Sequence, residues 1–261
     1  MKNHSIIYFL AVTFSLLHSC NFENENFSSN DEETVEKLTF EQRKDRHITG
    51  SLSIDATEKY TTEIFKDKLN NDEFEDAIIT INRFEFAKKK SAGLKNANQI
   101  EDMGYLGNYN YFVFYDGKLD KFSVPVPVPS SPINKLKVKF ENLSSEKYKD
   151  LIIEYRVLNA SFRNYYTIYG DVLQEIFQVK IFDHIGESKP EAYFLENDKG
   201  SICDVKNIMV YEGKILNYPT KIENIYEFEP EIVKTNKLHK RWFFNPKVMK
   251  YMTEDPELMK N

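Results

Sequence analysis

Apolar and polar positions along this chain fall into one arrangement that occurs twice, 74 residues apart. Leu69, a polar turn, Phe74, Asp76 and an apolar run from Ala77 to Ile81 make the first copy. Leu143, a polar turn, Tyr148, Asp150 and the run from Leu151 to Tyr155 make the second. A short apolar run bounded by turn residues suits a buried strand. A weaker third copy runs from Glu187 to Leu195, with Glu191 in the place of the aspartate and Pro190 before the strand, where a proline agrees with a turn. After each copy comes a second recurring element, an apolar and tyrosine-containing strand, a tight turn and another strand. Its turns are Asp116-Gly117, Gly170-Asp171 and Glu212-Gly213, and Asp-Gly or Glu-Gly between apolar runs predicts a hairpin with positive φ. Along the first of these strands, Tyr109, Tyr111 and Val113 alternate and predict one buried face.

Three turn-strand-hairpin units, at about 65–128, 143–183 and 184–218, therefore predict a mainly β fold in a single repeat domain over 37–261. The units suit propeller blades or an open β assembly. Alternate prolines between Val124 and Pro132 predict an extended strap from unit one to unit two. After Tyr218 the pattern changes, and 219–261 predicts a small helical or irregular cap. In it Lys237 to Phe244 and Pro246 to Met252 form two helical turns, and Trp242, Phe243 and Phe244 cover an open sheet edge or, if exposed, form a docking patch. Unit one also carries an insertion from Arg83 to Gly107 that unit two lacks. Insertions fall on loops and loops carry recognition, which makes Lys88, Lys89, Lys90, Glu101 and Asp102 a candidate recognition element.

The N-terminus obeys different rules. Lys2 and His4 precede an apolar or small run from Ser5 to Leu17, too short for a permanent membrane span, which predicts a removable leader over 1–19. It closes on Leu17-His18-Ser19-Cys20, which resembles the lipobox of bacterial lipoproteins, with His18 a departure from the small residues usual there. The resemblance implies that Cys20 becomes the acylated first residue and that its lipid holds the protein on a membrane of the cell envelope. The stretch from Cys20 to Glu36 is polar and acidic, a composition that predicts a flexible tether. The Asn/Lys/Phe-rich composition resembles lipoproteins of the Bacteroidota, in which acidic residues after the lipidated cysteine, here Glu23 and Glu25, can serve surface export.

Charge and composition remove several classes. With 35 basic against 41 acidic residues the net charge is −6, which gives no support for a nucleic-acid partner. Nine glycines leave no phosphate-cradling loop, whereas 20 phenylalanines and 16 tyrosines favour strand packing. A lipidated Cys20 leaves Cys203 without a disulfide partner, and it reads as a small buried residue. Neither histidine spacing nor a Gly-x-Ser-x-Gly sequence supplies a catalytic signature.

The turn before the first apolar run resembles the calcium-binding loops of FG-GAP and VCBS repeats. That resemblance implies oxygens from Asn70, Asp72, the Phe74 carbonyl and Asp76, although Lys68 stands at the first ligand position and Glu73 where a glycine is usual. The other reading has these carboxylates capping turn amides. Acidic pairs such as Asp72 with Asp76, or Glu101 with Asp102, would serve glycoside hydrolysis only if held across a cleft. The expectation is a non-catalytic, lipid-anchored envelope protein that binds a protein or glycan partner, or is a structural subunit. The alternative is a hydrolase of envelope polysaccharide or peptidoglycan that uses paired carboxylates.

Overall fold

Both apolar runs form inner strands that are covered on two faces. The computed structural model describes residues 38–170, 172–200 and 205–253; the leader, Cys20, the acidic segment to 36 and Cys203 lie outside them. β1 (Thr61–Asp67), β2 (Asp76–Asn82), β3 (Gly107–Asp116), β4 (Lys121–Phe122) and β5 (Val126–Ser130) form one antiparallel sheet. The second is eight-stranded and follows chain order. It contains β6 (Lys137–Glu141), β7 (Asp150–Val157), β8 (Ala160–Tyr169), β9 (Val172–Asp183), β10 (Glu191–Lys199), β11 (Lys206–Ile215), β12 (Ile232–Asn245) and β13 (Lys250–Met252). The fold is mainly β, and its sheets do not close into a barrel.

Burial explains why the runs lack polar alternation. Every residue of β2 is buried. Its Ile78 joins Phe112 and Phe114 of β3 against Leu151 and Ile153 of β7, while Ile79 and Ile81 face the other way, onto Ile48 of helix α1 (Phe40–Ser51). β7 repeats the scheme, with Leu151 and Ile153 turned to the first sheet and Ile152 packed with Ile208, Val210 and Phe244. A strand covered on both sides has no solvent face on which to place polar residues. β3 is likewise buried on both faces, because Val113 and half-buried Tyr111 lie on the α1 side.

β9 and β10 share only two register pairs, Asp183 with Glu191 and Phe182 with Ala192. The eight-stranded sheet therefore folds back, and Tyr165, Ile176 and Phe177 of one half pack against Ile208, Phe244 and Tyr251 of the other. α1 starts at a capping box: the Thr39 hydroxyl accepts from the Gln42 amide at 3.3 Å, and the Gln42 side chain accepts from the Thr39 amide at 2.8 Å.

Several expectations need correction. The C-terminal segment is not a helical cap, since Lys237 to Phe244 lies in β12 and Pro246 to Met252 runs into β13. The β11–β12 ladder shifts register at Tyr211 and Gly213, which destroys the two-residue alternation and leaves the stretch from Asn236 to Arg241 exposed. Trp242 and Phe244 belong to the core, with the Trp242 ring 5.0 Å from that of Phe177. Glu212-Gly213 is no hairpin turn. Gly213 sits inside β11, where a Cβ would lie 2.5 Å from Ile232 Cγ2 and 3.1 Å from the Ala192 backbone, so glycine permits a close strand approach. At the β3–β4 hairpin the positive φ belongs to Asp120, and Gly117 is required because a Cβ there would stand 2.1 Å from the Glu75 carbonyl oxygen. The proline strap is extended, as expected, and is also strand β5, paired with β3.

Candidate functional site

The two repeated turns are built alike. The Asp76 carboxylate accepts from the amides of Leu69 at 3.2 Å and Gly117 at 3.1 Å. Asp150 accepts from the Leu143 amide at 3.0 Å and from the amide and hydroxyl of Ser144, both at 2.6 Å. Leu69 and Leu143 are fully buried, so each aspartate satisfies amides that water does not reach. The third copy lacks this device, because Glu191 is exposed and accepts from the Tyr193 hydroxyl.

Side-chain oxygens of Asn70, Asp72 and Asp76 accept from backbone amides of the chain itself. Asn70 Oδ1 accepts from the Asp72 amide at 3.0 Å, and Asp72 Oδ1 from the Phe74 amide at 2.8 Å, two successive Asx turns. Phe74 leaves its ring exposed. Among the described residues no group of three or more His, Cys, Asp or Glu is placed to hold a metal ion. Burial pushes the Asp76 carboxyl up, against the pull of its two amide donors, and the charges of Asp72 and Asp116 push the same way.

Those turns and the neighbouring hairpins enclose a cleft of about 430 Å³. The turn before β2 contributes Asn70 and Asp72, the β3–β4 hairpin Asp116, Lys118 and Leu119, the turn before β7 Lys147 and Tyr148, and the end of β8 Ile168 and Tyr169. Asn70 is buried, and its Nδ2 has no hydrogen-bond partner. Tyr169 is 64% exposed, in contrast to Tyr165 and Tyr166 of the same strand, which are core. Asp116, like Asp72, spends an oxygen on an amide, that of Leu119 at 2.7 Å. Sequence reasoning reached Asn70 and Asp72 but missed Tyr169, Leu119, Lys118 and Lys147. The available signal was that each lies in or beside a turn at the same end of the repeated units.

The insertion is helical, with α2 (Phe84–Ser91) and α3 (Ala97–Asp102). Lys88 lies over the Phe84 ring at 5.4 Å, and Lys90 over Phe86 at 5.9 Å and Tyr109 at 6.0 Å. Lys89 and Lys90 border an open hollow of about 740 Å³ with Asp55, Glu58 and Glu85. Glu101 and Asp102 do not line it. They are exposed on α3, and the Asp102 carbonyl accepts from the Tyr226 hydroxyl at 3.3 Å. Arg83, at the base of the insertion, donates from Nε to Glu58 Oε1 at 2.6 Å and from its terminal nitrogen to Oε2 at 2.8 Å. Both side chains of that pair are more than nine-tenths buried.

Compared with known proteins, the chain matches no family model, no curated protein and no solved structure.

Proposed function

We propose that this chain is a non-catalytic binding module, lipid-anchored to the bacterial envelope through Cys20, whose turn-end cleft takes a glycan. The observation that carries the reading is Tyr169, an exposed aromatic at the rim of a cleft whose remaining lining mixes amides, carboxylates and lysines. Sugars have apolar C–H faces and hydroxyl edges, so an aromatic plane beside short polar groups suits them. In this reading ligand chemistry is placed at the repeated turns before β2 and β7 and not in the sheets.

Retention of the full chain on immobilised envelope polysaccharide tests the cleft. Tyr169→Ala should weaken retention roughly tenfold, the amount expected from loss of one aromatic face. Its thermal midpoint should stay at the wild-type value, because an exposed side chain contributes little to stability. Equal retention of the variant would remove the cleft reading. Asp72 and Asp116 both line the cleft and supply the one argument for a hydrolase. Release of reducing ends from the polysaccharide, lost in Asp72→Asn with Asp116→Asn, would establish that alternative. Both carboxylates are committed to backbone amides, which favours binding over turnover.

For the anchor, Cys20→Ser should leave an uncleaved precursor or move the protein to the soluble fraction. Unchanged processing and membrane retention would defeat the lipid assignment. Among the described residues no helix is long and apolar enough to cross a membrane.

A further inference from the structure

The face of β7 that buries Ile152 continues, by two-residue alternation, through Glu154 to Arg156, and there the apolar packing gives way to charge. Arg156 is 4% exposed. One terminal nitrogen donates to the Phe228 carbonyl at 3.2 Å, another to the Ile225 carbonyl, and the guanidinium lies 4.6 Å from the Phe182 ring centre. Its Nε is buried without a hydrogen-bond partner. Among the described residues no carboxylate makes an ion pair with it. Glu229, whose charge acts on Arg156, is itself held by Lys137 at 2.7 Å.

Arg156 borders a cavity of about 180 Å³ in which β6 places Lys137 and Lys139 and β8 places Ser161 and Arg163. Glu154 is paired with both Lys139 and Arg163. Counting Lys135, which pairs with Glu63 at 2.6 Å, five basic side chains line the cavity against two acidic ones, and among the described residues Arg156 is the one of the five for which no ion pair forms. A buried cation without a counterion is costly, and the usual remedy is a partner of opposite charge. Desolvation holds the Arg156 guanidinium below its ordinary value, and the charge of Glu229 offsets this only in part.

We propose that this cavity is an anion site that binds one oxyanion group, a phosphate, sulfate or carboxylate, with Arg156, Lys137 and Lys139 supplying the positive field. Its volume suits a single such group and not a nucleotide or an oligosaccharide. Planar guanidinium groups and lysine ammoniums are the side chains best fitted to hold oxyanions. The site differs from the turn-end cleft in every lining residue, so the proposal does not depend on the glycan reading.

Isothermal titration of the full chain with inorganic phosphate, sulfate and glucuronate, at constant ionic strength, tests it. A saturable one-site heat with at least one of the three is expected. Lys137→Ala with Lys139→Ala, two half-exposed side chains whose loss leaves the core intact, should weaken it roughly tenfold. Arg156→Gln should abolish it; if that variant fails to fold, the lysine variant alone decides. Preference for glucuronate would identify the group as the carboxylate of a sugar acid, and preference for phosphate or sulfate a free inorganic anion or its ester. Absence of saturable heat with all three probes, or unchanged affinity in the lysine variant, would overturn the site.

Discussion

Glu58→Ala is expected to destabilise the domain by about 3–5 kcal/mol, because it leaves the Arg83 guanidinium buried and uncompensated. Glu58 supplies both carboxylate oxygens to Arg83 across 25 residues of chain, and neither side chain is more than 9% exposed. Arg83 also sits 4.4 Å from the Phe86 ring and precedes α2, so its anchor fixes where the helical insertion leaves the sheet. Urea unfolding of the full chain would show the loss as a fall in midpoint. Replacing both partners by apolar residues, Glu58→Leu with Arg83→Met, should restore most of it, since removing an ion pair together is far less costly than removing half. A single variant no less stable than wild type would show that the pair does not hold the insertion.

Asp150→Ala should cost about 3 kcal/mol. The carboxylate is the acceptor for the buried Leu143 amide and for the amide and hydroxyl of Ser144, and each buried donor left without an acceptor costs roughly 1–3 kcal/mol. Asp150→Asn keeps one acceptor oxygen and should lose less than half as much. The asparagine variant also tests the charge. Burial pushes the Asp150 carboxyl up, and its Ser144, Thr167 and Leu143 donors do not fully offset that. A carboxyl raised in the folded state takes up its proton there more readily than in the unfolded chain. Its contribution is therefore fully present below the ordinary carboxylate value, about 4, and declines as pH rises from there through the raised folded value. Wild type should lose stability relative to Asp150→Asn across that window. A flat difference between the two with pH would mean that burial does not govern this carboxyl.

The repeated turn was legible because its chemistry is local: Leu69 and Asp76, like Leu143 and Asp150, lie seven residues apart and meet within one turn. The runs of β2 and β7 were legible because burial on both faces leaves an apolar stretch interrupted only at Thr80 and Glu154. α1 was overlooked although Thr39 and Gln42 carry its capping box, since the amphipathic pattern beyond them is interrupted by charged residues. β12 was misread because its exposed basic stretch and the bulges opposite Tyr211 erase strand alternation. No local pattern could have joined Glu58 to Arg83, or Arg156 to the carbonyls of Ile225 and Phe228. Those contacts exist only after distant segments have packed.

Strand β5 has a consequence for the protein in a crowd. It pairs with β3 through a register that sets Val126 and Val128 opposite Phe112 and Asn110, and Pro125, Pro127 and Pro129 alternate with them. Successive residues of a strand direct their backbone groups to opposite edges, so the prolines fall on the edge away from β3, where amide donors would otherwise stand in a row. A neighbouring molecule meets no ladder there to extend. Along the described residues, this border of the sheet offers few of the amide donors that intermolecular strand addition needs.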